Sequence, residues 1–360
     1  MVKKRVVGLD IVRTFAILFV ISVHFFFNNG FYGKVINSSG FSVLLFARTL
    51  FYTCVPLFLL LTGYLVRRTK INRDYFYKIF KILISYLIIA VVVLIFRIMY
   101  MNIEIGKLES IFALISFEAD PYAWYVEMYL GLFLLIPFLN IIYDNLNKFQ
   151  KHLLLSILIF ITALAPITNN LIVHGTVTNI FPNWWENIYP ITYFFVGRFL
   201  YDYPIKLSSL KKIIILLIVL MIHTGLLFWH NYGRIFDWGA LGGYGNILTL
   251  TASVLIFSLL YNKNIKNKCL NVSVSIISKV SFEMYLISYI FDRIFYSEIK
   301  LNFNNVFDYG INFFIYVSLV FICSFVCAII INKISSIFYR KIRPFYDKII
   351  NKFIFKLKQR

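Results

Sequence analysis

Apolar runs long enough to cross a lipid bilayer recur along almost the whole chain, and no other feature narrows the choice of fold as far. A hydrocarbon core about 30 Å thick takes about 20 residues of α-helix to cross. Ten runs approach or meet that length, over residues 7–27, 41–66, 76–100, 122–143, 152–168, 187–201, 210–230, 240–261, 276–297 and 309–338. The sixth is short and contains Pro190, which predicts a tilted or broken helix. Hydrocarbon offers no partners to backbone N–H and C=O groups, so such runs must close their own hydrogen bonds. The expected fold is all-α: a polytopic integral membrane protein of about ten helices. Its transmembrane domain covers residues 1–338, and a basic, amphipathic cytoplasmic tail covers 339–360.

Composition removes the other classes. Of 360 residues 60% are hydrophobic and only 14% charged, whereas about a quarter of a soluble domain is charged. The formal charge of +20 has the sign of a nucleic-acid-binding protein, but the basic residues sit in short clusters between apolar runs. They report topology, and no nucleic-acid partner is expected. With the amino terminus inside, 27 of the 36 Lys and Arg face the cytoplasm, 5 face outward and 4 lie within spans. Both termini are therefore expected in the cytoplasm. Lys3, Lys4 and Arg5 precede an apolar run as in a leader peptide, yet Asp10 and Arg13 interrupt it and no small-x-small site follows Phe27. The segment is expected to stay as the first helix. Cys54, Cys269, Cys323 and Cys327 show neither CxxC nor His-linked spacing, so neither a metal site nor a disulfide framework is expected.

The connections are too short for an appended soluble domain, which puts any chemistry inside the bundle. Of the outer loops, residues 101–121 hold an apolar centre, Ile111 to Phe117, suited to the membrane interface, and 168–186 hold Pro182, Trp184 and Trp185. No internal repeat or inverted pair of broken helices is visible, so the usual sequence pointer to a secondary transporter is missing.

Ionisable groups inside spans are costly and tend to mark function. Asp10 and Arg13 are three apart, hence on one helix face. His24 follows Arg13 by eleven residues, which is about 20° from the same face and about 16 Å further along. An imidazole titrating near neutrality suits general-base work. The alternative is that Arg13 snorkels to headgroups and His24 bonds a neighbouring helix. At the end of the second span, Thr62 and Gly63 permit close helix approach, and Arg67 and Arg68 offer forks for phosphate or an ordinary positive-inside anchor. Trp124, Tyr125 and Glu127 open the fourth span. Glu283 and Asp292 place acids in or near the ninth, where Arg48 and Arg97 are possible partners. His223 and His230 read as structural or interfacial, while His152 and His174 carry no signal.

Several of these residues fall into familiar strings. Gly8-Leu9-Asp10-Ile11-Val12-Arg13 followed by His24, an Arg-x10-His pair, resembles the opening of the bacterial membrane acyltransferase-3 family. Pro56-Leu57-Phe58 leading to Thr62-Gly63-Tyr64-Leu65, Trp124-Tyr125 with Pro137, Tyr193-Phe194-Phe195-Val196-Gly197-Arg198 and Tyr285-Leu286-Ile287 extend the resemblance over the chain. Thr62 stands where the family usually has Ser, and Ser288 where it has a late His.

The resemblance implies O-acyl transfer, commonly of acetyl, from cytoplasmic acyl-CoA to a hydroxyl of a cell-surface or lipid-linked carbohydrate at the bacterial cell membrane. His24 would then act as general base or acyl carrier, and Arg13, held by Asp10, would stabilise donor charge or orient the donor's arm. Arg67, Arg68, Thr62, Gly63 and Tyr64, with Arg73 as a further candidate, would serve the donor. Trp124, Tyr125, Glu127, Trp184, Trp185 and Glu283 would serve the acceptor, although an aromatic belt explains each Trp and Tyr as well. Membrane lipids and the glycan are the expected partners, and no metal is expected. The competing reading is an exporter or flippase of a polysaccharide or small molecule; a scaffold without chemistry leaves His24 unexplained.

Overall fold

The structure is a computed structural model that describes residues 5–67, 69, 72–164, 169, 181–237, 241–297, 299 and 306–358. The described residues are all-helical in class. No β-strand is present among the described residues; two isolated bridges, Val35 to Ile235 and Ile36 to Tyr232, join the segments that follow two of the helices. The helices are α1 (Val7–Asn28), α2 (Ser39–Phe51), α3 (Cys54–Leu65), α4 (Arg73–Met99), α5 (Lys107–Ile115), α6 (Trp124–Asn145), α7 (Lys148–Ile159), α8 (Tyr189–Asp202), α9 (Ser209–Asn231), α10 (Ile247–Leu260), α11 (Lys268–Phe295) and α12 (Val306–Lys358).

Seven segments among the described residues are long and apolar enough to cross a membrane: Val7–Asn28, Gly40–Leu65, Tyr75–Met99, Trp124–Asn145, Ser209–Asn231, Lys268–Phe295 and Phe307–Lys348. They match seven of the ten expected spans. The other three expectations fall on shorter helices. α8 and α10 have 14 residues each, a rise of about 21 Å against a core of about 30 Å. α7 continues through a wider π-type turn, Phe160–Leu164. The ends of the expected spans at 165–168 and at 240 lie outside the described residues.

The helix boundaries have local causes. α2 and α3 form one span that breaks at Tyr52 and Thr53, because Pro56 has no N–H to offer the carbonyl of Tyr52 four residues earlier. Pro190 falls at the start of α8, where a missing N–H removes no intrahelical bond; the expected break within that run is instead a helix start. Side chains of Asn72, Asn147, Ser208, Asn246 and Asn267 cap α4, α7, α9, α10 and α11 by accepting from backbone N–H groups one turn on.

Two compact units are present. The first comprises Met1–Arg67, Leu139–Lys279 and Asp292–Phe321. Within it α3 packs against α8, α1 against α2 and α3, and α9 against α2 and α10. Lipid tails are as apolar as leucine, so helices associate here by close contact of small residues. A Cβ on Gly63 would stand 2.0 Å from the carbonyl oxygen of Phe194, and one on Gly197 2.2 Å from that of Leu60. The two glycines thus let α3 and α8 meet backbone to backbone. Gly8 does the same for the start of α1, where a Cβ would lie 2.0 Å from the Tyr261 oxygen. α1 is enclosed, with 72% of its apolar stretch buried, against 22% for α9. The first helix is a core element, and α9 turns most of its apolar surface outward.

Arg48, fully buried, belongs to this unit. Its guanidinium lies 4.0 Å from the Tyr52 ring centre and donates to Tyr32 Oη and the Gly242 carbonyl. Aromatic faces and a carbonyl meet this charge.

The second unit comprises Arg68–Phe138, Val280–Phe291 and Ile322–Arg360. Here Arg97 donates to the carbonyls of Glu118 and Ala119, both at 2.9 Å, rather than pairing with Glu283. Tyr75 donates to the Phe133 carbonyl and Tyr285 to that of Tyr122. α5 leaves Leu108, Ile111, Phe112 and Ile115 exposed; their spacing is one helical stripe, as an interfacial segment requires. Phe80 stacks on Tyr346 at 4.3 Å, joining the far part of α12 to α4.

Candidate active site

The polar stripe on α1 meets α11 at two levels. Toward the start of α1, Ser278 Oγ donates to Asp10 Oδ1 at 2.6 Å and accepts from Arg13 at 3.0 Å. Arg5 pairs with the same Asp10 and reaches the Ser275 carbonyl at 2.8 Å. Asp10 in the first turn of α1 also opposes the positive end of the helix dipole. Asp10 and Arg13, expected to be neighbours, are thus joined through a serine contributed by α11.

Further along, His24 Nδ1 lies 3.2 Å from Asp292 Oδ2. The side chain of Asp292 is wholly buried and that of His24 is 14% exposed. The two helices run in the same direction here: Arg13 meets Ser278, and eleven residues later His24 meets Asp292, fourteen residues after Ser278. Fourteen residues return a helix to within about 40° of the starting face, so α11 presents both partners on one side. A carboxylate beside Nδ1 is the arrangement that can hold the proton there and keep the lone pair on Nε2. That is the state a general base needs. Sequence reasoning marked Asp292 as an intramembrane acid and missed its partner; only the default rule for charges in spans could have pointed to it.

The family model for the acyltransferase domain matches residues 6–333. The chain belongs to the acyltransferase-3 family. No curated protein and no solved structure matches it. The protein is a membrane acyltransferase, and the geometry of its remaining candidate residues bears on that chemistry.

In the acyltransferase the donor-side candidates Thr62, Gly63, Tyr64 and Arg67 lie in the first unit. Arg67 donates to the Tyr64 carbonyl at 3.1 Å and stands 3.6 Å from the ring centre of Tyr201. The Thr62 hydroxyl donates to the Phe58 carbonyl at 2.9 Å within its own helix, and Gly63 sits at the crossing with α8. Both contacts account for these two residue types through packing alone. Arg68 lies outside the described residues, as does the side chain of Arg73.

The acceptor-side candidates divide between the units. Trp184 is 65% exposed and meets the half-buried Trp185 edge-on at 6.2 Å. Next to them Glu186 packs on Gly243 and Gly245, where a Cβ would come within 2.7 and 2.6 Å of its side chain. Burial pushes its carboxyl above the usual range. Trp124, Tyr125, Glu127 and Glu283 belong to the second unit. There Trp124 and Glu127 are exposed, while Tyr125 is buried between the rings of Tyr129 and Tyr285. Glu283 is buried and accepts from Ser85 at 3.3 Å and Asn332 at 2.8 Å. Among the described residues no group of three or more His, Cys, Asp or Glu is arranged to hold a metal ion.

Proposed function

We propose that the protein is an O-acyltransferase of the bacterial cell membrane. It moves an acyl group, commonly acetyl, from cytoplasmic acyl-CoA to a hydroxyl of a cell-surface or lipid-linked carbohydrate. In this reading ten segments cross the bilayer, both termini are cytoplasmic, and the basic tail over 339–360 lies on anionic headgroups. The observation that carries the reading is the contact of His24 with the buried Asp292, on the same stripe as Arg13.

The chemistry balances with these groups. His24 Nε2 accepts the proton of the acceptor hydroxyl as that oxygen attacks the thioester carbonyl carbon. The C–O bond forms, the C–S bond breaks, and the CoA sulfur leaves as thiolate to be protonated. Asp292 holds the imidazole and stabilises its protonated form. A route through a transient acyl-imidazole uses the same residues, with His24 as nucleophile. Arg13, fixed by Ser278, lies about 16 Å from His24, a position suited to the arm of the donor rather than to its reacting carbon. Trp184 and Trp185 offer flat apolar faces on which a sugar ring can stack.

The ester content of surface glycan with and without the gene tests the reading. Loss of ester on polymer that is still displayed supports transfer. Loss of the polymer itself would favour the exporter.

A further inference from the structure

Three helices of the first unit end together in a group of aromatic rings with one guanidinium. Tyr64 at the end of α3 lies 5.2 Å from Tyr201 at the end of α8 and 5.5 Å from Tyr261, which follows α10. Arg67 stands over the Tyr201 ring at 3.6 Å. Its Nε is buried with no hydrogen-bond partner, and its guanidinium meets no carboxylate among the described residues. Tyr201 is 39% exposed, and Tyr64 and Tyr261 are half-buried. Here three tyrosines converge on one another beneath a positive charge. Lys263 follows two residues after Tyr261.

We propose that Tyr64, Tyr201, Tyr261 and Arg67 seat the nucleotide end of the acyl donor, with the adenine on the tyrosine faces and the phosphates against the guanidinium. Aromatic faces hold a purine by stacking, and a guanidinium stacked on one of those rings keeps its N–H edge for phosphate oxygens. Position agrees with chemistry. Gly8 abuts Tyr261, and His24 lies sixteen residues further along α1, about 24 Å away. An extended pantetheine diphosphate arm has that order of reach, so a donor seated here can present its thioester at His24. The inference rests on acyl-CoA being the donor.

The test is binding of radiolabelled CoA to the purified full-length protein in detergent, with two competitors: the adenosine bisphosphate half of CoA, and pantetheine. In the wild type both should displace the label. Tyr201→Leu should weaken the adenosine bisphosphate by about tenfold, the scale of one lost stacking contact, and leave pantetheine unchanged. Tyr201→Phe, which keeps the ring, should behave as wild type and shows that the site still folds. The seat is overturned if adenosine bisphosphate fails to displace CoA from the wild type, or if Tyr201→Leu shifts both competitors alike or neither. If the wild type binds no CoA at all, the donor assignment falls and the seat falls with it.

Discussion

At the residue scale, the pairing of His24 with Asp292 separates a structural histidine from a poised one. A histidine that only satisfies a neighbouring helix needs a single acceptor such as a carbonyl, as His223 has in Leu241. His24 has a wholly buried carboxylate instead, which is expensive to place in a bundle unless its charge is used. Asp292→Asn keeps the shape and removes the charge that stabilises imidazolium, so transfer should fall at least tenfold, within the range general-base catalysis spans. CoA binding should be unchanged; an unchanged transfer rate in steady-state assays would remove Asp292 from the mechanism. The stripe of Asp10, Arg13 and His24 was legible because helical spacing fixes which residues of one helix share a face. Asp292 and Ser278 were not legible as partners, since contacts across 268 residues depend on helix packing, which spacing within one helix does not encode.

At the element scale, the glycines decide how closely α3 and α8 approach. Gly63→Ala or Gly197→Ala should each destabilise the protein by about 1–3 kcal/mol, the usual penalty of overpacking. The double variant should fall short of the sum, because the first substitution already opens the crossing. Thermal unfolding in detergent reads both, and additive losses would contradict a shared contact. The sequence marked Gly63 as a residue of close approach but could not say which helix approached it.

The segment between α5 and α6 holds a buried acid. Asp120 there is 1% exposed and accepts from the Tyr122 N–H at 2.9 Å, while its Oδ2 has no hydrogen-bond partner. Burial pushes its carboxyl up to about 7, against the smaller opposing effects of that hydrogen bond and of Arg97. The folded protein therefore holds this proton more tightly than the unfolded chain, whose carboxyl titrates near 4. Stability should fall as pH rises from about 4 to about 7 and level off above that. Asp120→Asn keeps the acceptor oxygen and should flatten the slope of melting temperature against pH. An equal slope in the two proteins would show that Asp120 does not titrate in this window.

At the scale of the whole molecule, charge placement and helix length speak to topology. The 53 residues of α12 rise about 80 Å, about twice a bilayer with its headgroups, so part of this helix must leave the membrane. In the proposed topology that part is the basic tail over 339–360. The all-helical class and most of the long spans were legible because hydrocarbon permits so few backbone solutions. The short sixth run, 187–201, coincides with α8 to within two residues, whereas the expected 240–261 is longer than α10, because hydropathy cannot distinguish a residue at a helix end from one in an apolar connection. Lys34→Cys should react with an impermeant thiol reagent added outside intact cells, and Lys206→Cys only after the membrane is opened, each in a Cys269→Ser background because Cys269 is exposed. Reversed protection would invert the topology.

In the proposed mechanism this bundle transfers acyl groups through His24. Membranes containing the wild-type protein, supplied with labelled acetyl-CoA and surface glycan, should pass label to the glycan. Membranes with an equal amount of His24→Ala should pass none. Full transfer by His24→Ala would contradict the account.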